Sequence, residues 1–321
     1  MTARDLIKGS VAVVGVGAVG SVITYALNEV GIKPVLIHRN ARVAEFYREH
    51  GVKVEVLGEG ERVIEGLHTT YDGIQPGLIG LAFICVKAYD VRNALSELSR
   101  LLNRDSILVM CQNGLGSTEL AEKIVGPNNV LQAIIGFGAN RVSRHEVRLT
   151  GIGPSYVGPK RKGAPSTLHA VAKHVSELLR VINFTYVDES EGYRWVKLGI
   201  NAGINPVTAI LGVKNGVVSD DVYARSVALA AANEVKEVAV AKGVSLPKDP
   251  AGALLSVARN TAENYSSMLQ DIRSGRRTEV DYINGSVYLE GLKVGRVCLV
   301  NYTLWNVVKS LERIRSRSMT R

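Results

Sequence analysis

The chain has 321 residues, 46% hydrophobic and 21% charged, enough apolar content for a real core, which argues against a disordered chain. A net charge of +9 favours anionic partners such as phosphates and carboxylates. The basic residues are scattered, and only Arg313, Arg315, Arg317 and Arg321 crowd together, in what reads as a solvated tail, so nucleic acid is not expected. Cys85, Cys111 and Cys298 show neither metal spacing nor a disulfide framework, which suits a reducing compartment and no metal. Arg4, Asp5 and Lys8 precede any apolar run, and no run is long enough for a bilayer, so a soluble cytoplasmic protein is expected.

In chain order, SVAVVGVG (residues 10–17) reads as a buried strand and is followed by a helix pattern through Asn28. PVLIHR (34–39) is a second strand. LAFICVKA (81–88) and SILVMCQN (106–113) are buried strands, followed by the helices YDVRNALSELSRLL and STELAEKIV. Apolar strands alternating with helices imply βαβ units and a parallel sheet covered on both faces. Short alternating strands follow at HEVRLTGIG and PSYVGP, then a helix over about 165–180 and a last strand, INFTYV. After Asp188 long amphipathic helices take over, such as DVYARSVALAAANEVKEVAVAKG, ended by Gly243. The expectation is a Rossmann-type α/β domain over residues 1–187 and an all-α domain over 188–321.

GVGAVG (Gly15, Val16, Gly17, Ala18, Val19, Gly20) follows a strand and opens a helix. In that context Gly15 permits the turn, Gly17 lets a pyrophosphate approach, and Gly20 lets helix and strand pack closely. The alternative is a tight turn with no ligand. At the end of the second strand stands Arg39, with no carboxylate beside it. A guanidinium there pairs with a 2′-phosphate, which favours NADP(H) over NAD(H); otherwise Arg39 is a surface arginine. Two further strand ends would adjoin the same cleft. Lys87 either meets the cofactor's phosphates or ribose or is solvated, and Asn113 is a site residue or a turn residue before Gly114.

KLGINAGINPVTAI (197–210) places Lys197, Asn201 and Asn205 four apart, on one helix face, with Pro206 predicting a kink. A solvated outer face fits this row less well than a cleft between domains. There a partly desolvated lysine has a lowered pKa and can serve as a general acid.

GVGAVG, VKA, QNG, KLGINAGINPVTAI, NYSSMLQDI and RTEVDYING occur in an order that resembles the ketopantoate reductases (2-dehydropantoate 2-reductases), from Gly15 to Gly285. The resemblance implies reduction of 2-dehydropantoate to (R)-pantoate with NADPH, on the route to pantothenate and coenzyme A. It implies a Rossmann domain followed by a helical domain, with the active site between them. By the same resemblance Lys197 is the general acid, and Asn201, Asn205 and Asn215 line the substrate pocket. Asn264 and Ser267 hold the substrate's polar ends, with Ser267 on its carboxylate. Glu279 binds a substrate hydroxyl and helps place the lysine, and Asn113 stands at the cofactor–substrate junction.

Independently of the family, Asn264 and Ser267 are three apart, as on one helix face, and Thr278 is a plausible N-cap placing Glu279 at a helix start. A buried hydroxyl bonded to backbone is the rival reading of Ser267. Two departures from the family pattern stand out. Asp90 follows VKA where a glutamine is common, which leaves NADH as the alternative cofactor, and RVCLVN replaces a proline-bearing stretch. Cys85, two residues before Lys87, suggests that coenzyme A could occupy the cofactor cleft and form a mixed disulfide there, with cations favouring thiolate; the alternative is an inert buried thiol. Apolar helix faces in the second half suggest a homodimer. The rival functions are a reductase of another 2-keto or 3-hydroxy acid and a nucleotide sensor without turnover.

Overall fold

The structure is a computed structural model that describes residues 7–56 and 58–319, with side chains described as far as residue 315. Arg4, Asp5, the Arg317 side chain and Arg321 lie outside the described residues. By its contacts the chain divides into two compact units, Met1–Gln112 with Ser117–Ser190, and Asn113–Gly116 with Glu191–Arg321.

The first unit is α/β. Its elements are β1 (Ser10–Val14), α1 (Ala18–Glu29), β2 (Val35–His38), α2 (Ala41–His50), β3 (Val52–Val56), β4 (Gly60–Ile64), β5 (Leu67–Thr70), β6 (Ile79–Ile84), α3 (Val91–Leu98), β7 (Leu102–Met110), α4 (Ser117–Val125), β8 (Val130–Ile134), β9 (Gly138–Arg141), β10 (Glu146–Gly151), β11 (Ser155–Pro159), α5 (Ser166–Leu178) and β12 (Phe184–Tyr186). Eight strands form the main sheet in the order β12-β11-β8-β7-β6-β1-β2-β5. Neighbours from β5 to β8 pair in parallel, whereas β11 runs antiparallel to β8. The interior strand β6 is buried at every residue, as a parallel strand covered on both faces must be. One face packs Val13, Leu81, Phe83 and Val109 under α1 and α5, and the other packs Ala12, Val14, Ala82 and Leu108 under α3 and α4. The strand order reverses between β1 and β6, the place where such sheets bind ligands beyond their carboxyl ends.

The four-stranded sheet β4-β3-β10-β9 was not foreseen beyond its β10. Its edge strand β4 is exposed at four of five positions, so it carries no alternating apolar signal. The expected first strand stops at Val14, because Gly15 turns the chain with φ +90°. The helix expected after β6 is shorter at both ends, where single 3-10 turns (Ala88–Asp90 and Ser99–Leu101) flank α3.

The second unit is all-α: α6 (Glu191–Leu211), α7 (Val217–Asp220), α8 (Val222–Ala241), α9 (Pro250–Asn260), α10 (Ser267–Arg273), α11 (Asn284–Lys293) and α12 (Leu299–Met319). α8 begins where the Asp221 carboxylate accepts hydrogen bonds from the N–H groups of Tyr223 and Ala224 (3.0 and 2.8 Å) and is followed by Gly243 at φ +74°. Its buried face is mostly alanine (Ala224, Ala228, Ala231, Ala232), which lets α6 come close. A Cβ on Gly203 would stand 2.6 Å from the Ala228 carbonyl and 2.3 Å from Leu254 Cδ1, so glycine is required at this crossing. Arg313 and Arg315 are exposed on the last turns of α12, so that part of the basic cluster is helical. Among the described residues no helix is long and apolar enough to cross a membrane.

Candidate active site

In the first unit the glycine turn sits between β1 and α1. A Cβ on Gly15 would lie 2.7 Å from Val86 Cγ1 and 2.9 Å from the Val86 nitrogen, and one on Gly20 would lie 2.2 Å from the Gly15 carbonyl oxygen. Among the described residues nothing stands within 4 Å of where a Gly17 Cβ would be, so the backbone there is open to approach. Gly17 is the N-cap of α1 and supplies no capping side chain, and the first turn holds no acidic residue. A pyrophosphate fits such a helix end, because its charge satisfies first-turn N–H groups that no side chain caps. Val16 is buried beneath the turn, and Ala18 and Val19 are half-buried.

Arg39 is exposed one residue beyond β2, and Asn40 caps α2 by accepting the Val43 N–H at 3.0 Å. The residue before it, His38, lies buried against His68, with ring nitrogens 2.9 Å apart. Burial lowers both imidazoles to about 4, helped at His38 by His68 and at His68 by Arg48. Lys87 is half-buried at the start of the 3-10 turn after β6. The strand ends at Ile84, so alternation along a strand does not place Cys85 and Lys87 on one face. Burial pushes the Cys85 thiol well above the usual range, and a hydrogen bond with Cys111 adds to this. The expectation that nearby cations favour thiolate at Cys85 is therefore not met.

In the second unit none of the row Lys197, Asn201 and Asn205 is exposed: the first two are half-buried and Asn205 is buried. Helix α6 continues through Pro206 to Leu211. Proline has no N–H for the carbonyl four residues back, which is that of Ala202. Asn284 Nδ2 donates to that carbonyl at 2.9 Å and to Asn301 Oδ1 at 2.9 Å. Asn301 in turn donates to Ala231 O (3.0 Å) and Glu234 Oε2 (2.7 Å). A buried amide ladder thus replaces the missing helical bond and ties α6 to α8, α11 and α12.

The loop Asn113–Gly116 groups with this unit. Gly114 lies at φ +85°, its absent Cβ 2.1 Å from the Tyr282 carbonyl oxygen, and that oxygen accepts the Leu115 N–H at 2.9 Å. This contact seats Asn113 beside Glu279. Asn113 Nδ2 donates to Glu279 Oε2 at 3.3 Å, and Asn201 Nδ2 donates to Asn113 Oδ1 at 3.4 Å, both long hydrogen bonds. Glu279 is buried. It does not open an α-helix, as α11 begins only at Asn284. Thr278 instead starts a turn: its hydroxyl accepts the Val280 N–H at 3.2 Å, and its N–H and hydroxyl both donate to Glu312 Oε1 (2.7 and 2.6 Å).

Asn215 is buried, donates from Nδ2 to Thr261 Oγ1 at 3.0 Å, and leaves Oδ1 buried with no hydrogen-bond partner among the described residues. Its N–H donates to the Asn264 carbonyl at 2.9 Å. Asn264 and Ser267 do not share a helix face, because Asn264 lies in the turn before α10 and Ser267 is its exposed first residue. The buried hydroxyl considered for Ser267 belongs to Ser266, which accepts from Thr208 Oγ1 (2.7 Å) and from the Leu269 N–H (3.2 Å). Neither Ser266 nor Asn284 stands out in the sequence. A proline inside a helix was the one signal for Asn284, since the carbonyl it strands needs a donor from elsewhere.

Residues 11–162 match the family profile described as Ketopantoate reductase PanE/ApbA, and residues 189–312 match the one described as Ketopantoate reductase PanE/ApbA C terminal. The chain belongs to the ketopantoate reductase family. A 2-dehydropantoate 2-reductase of Pyrobaculum aerophilum is 36% identical over 94% of this chain and 97% of its own. One of Archaeoglobus fulgidus is 34% identical over 94% and 97%. Among solved structures, a PanE/ApbA family ketopantoate reductase from Ralstonia eutropha JMP134 matches with TM-score 0.83 at 24% identity, covering 95% of this chain and 99% of that one. D-mandelate dehydrogenase with NADH and anilino(oxo)acetate matches with TM-score 0.85 at 22% identity, over 95% and 99%. At these identities the likeness is one of fold. As a member of the ketopantoate reductase family the chain is an oxidoreductase. In the second unit Asn201, Asn113 and Glu279 form one hydrogen-bonded chain. Among the described residues no group of three or more His, Cys, Asp or Glu is placed to hold a metal ion.

Proposed function

We propose that the chain reduces 2-dehydropantoate to (R)-pantoate, using NADPH, in the cytoplasm on the route to pantothenate and coenzyme A. The observation that carries this reading is the bond chain Asn201–Asn113–Glu279 beside the α6 row that begins at Lys197, in a chain of this family. NADPH, when bound, supplies the hydride. The glycine turn receives the pyrophosphate at the α1 N-terminus, with Arg39 on the 2′-phosphate and Lys87 toward phosphate or ribose. Lys197 Nζ gives the proton to the 2-keto oxygen. Glu279 accepts a substrate hydroxyl and helps orient the ammonium, and Asn113 holds Glu279 in place. Asn201, Asn205, Asn215 and Asn264 bond the substrate's polar groups, and Ser267 takes the carboxylate.

Coenzyme A shares an adenine nucleotide with the cofactor and would compete at the glycine turn. Because the Cys85 thiol is pushed up, this competition needs no mixed disulfide and is expected to be the same with and without reductant. The test of the reading is to mix the protein with NADPH and 2-dehydropantoate and follow the absorbance of the reduced nicotinamide. Loss of absorbance with pantoate formed, faster with NADPH than with NADH, supports it. Turnover only with other 2-keto acids, or NADPH binding without turnover, would overturn it.

A further inference from the structure

The carboxyl ends of β6 and β7 hold a device outside the roles assigned above. The Gln112 side chain turns back on the strand beside it. Its Nε2 donates to the Ile84 carbonyl at 2.6 Å and to the Val86 carbonyl at 3.0 Å. Its Oε1 is buried and has no hydrogen-bond partner among the described residues. Residues 84–86 are the support on which the glycine turn rests. Val86 fills the space where a Gly15 side chain would be, and Cys85 Cβ lies 3.3 Å from the Cβ position of Gly20. The Cys85 N–H also donates to the Val14 carbonyl at 2.8 Å. Burying an amide oxygen without a partner has a cost, which the two bonds from Nε2 offset by fixing this segment.

We propose that Gln112 is a positioning residue for the dinucleotide: it clamps residues 84–86 against Gly15 and Gly20, and so holds the turn in the shape that receives a pyrophosphate. This rests on the glycine turn binding NADPH, and it adds a residue that touches neither cofactor nor substrate. The carbonyl of Ile84 keeps a second donor, the Cys111 N–H at 3.2 Å. Val86 depends more on the clamp, and Val86 is the residue pressed on Gly15.

The experiment is equilibrium NADPH binding to the full chain, with wild type, Gln112→Met and Gln112→Glu compared at pH 7.5 and pH 5.5. Methionine keeps the length of the side chain and removes both donors, so the Kd should rise about tenfold. Glutamate is ionised at pH 7.5 and faces two carbonyl oxygens, so its Kd should rise further. At pH 5.5 that carboxyl, its pKa raised by burial and by the carbonyls, regains a proton to donate. The ratio of its Kd to that of wild type at the same pH should then fall several-fold, while the methionine ratio stays level. General loosening of the fold would not give that contrast. A pH-independent ratio for Gln112→Glu, or wild-type affinity in both variants, would overturn the clamp. Failure of wild type to bind NADPH would overturn the cofactor reading and the clamp with it, and it shows before any substitution is made. Hydrogen exchange on the wild type needs no variant: NADPH should slow exchange at residues 84–86 as well as at 15–20, and protection confined to 15–20 would count against the clamp.

Discussion

His38 and His68 are buried against each other at 2.9 Å, stacked on Tyr47, with both imidazoles held at about 4. The folded pKa lies below the unfolded value near 6.5, so stability is fully present above about pH 6.5 and falls as pH drops toward 4. Between pH 7 and 5 the two together should cost on the order of 2–4 kcal/mol. Urea melts at the two pH values should show that loss in wild type and a smaller one in a His38→Gln, His68→Gln double variant; equal losses would contradict it. Neither histidine could have been singled out from sequence, because the partner of each lies on a neighbouring strand thirty positions away. Lys197, Asn201 and Asn205 were legible, because a period of four needs only the chain itself. The link from Asn201 through Asn113 to Glu279 was not, since it depends on how a loop at residue 113 seats against residue 282.

Helix α6 shows the same division at the scale of an element. Its existence and its proline followed from the sequence, but its remedy, Asn284 on the Ala202 carbonyl, needed coordinates. Removing that donor strands a buried carbonyl, so Asn284→Ala should destabilise by about 1–3 kcal/mol. Pro206→Ala returns a helical N–H to the same carbonyl. Asn284→Ala should then cost roughly 1 kcal/mol less in the Pro206→Ala background, measured by a double-mutant cycle in denaturant. Strict additivity would mean that Asn284 does not stand in for the lost helical bond. Strands β1 and β6 were readable as continuous apolar runs, whereas β4 was not, because four of its five residues are exposed.

Over the whole molecule, the change from alternating strands and helices to helices alone made the fold class legible, and the strand order made clear why the glycine turn lies at the reversal of the sheet. In the proposed function Arg39 receives the 2′-phosphate. Arg39→Ala should weaken NADPH binding about tenfold and leave NADH within about twofold; equal effects on both would remove the 2′-phosphate from its role. In the proposed function the cofactor binds the first unit and the proton comes from the second, so one substitution should separate them. The most direct measurement is Lys197→Ala, assayed for NADPH affinity and for 2-dehydropantoate turnover in the same preparation. NADPH affinity should stay at the wild-type level while turnover falls about 10²- to 10⁴-fold. Turnover near that of wild type with NADPH bound, or loss of NADPH binding itself, would contradict it.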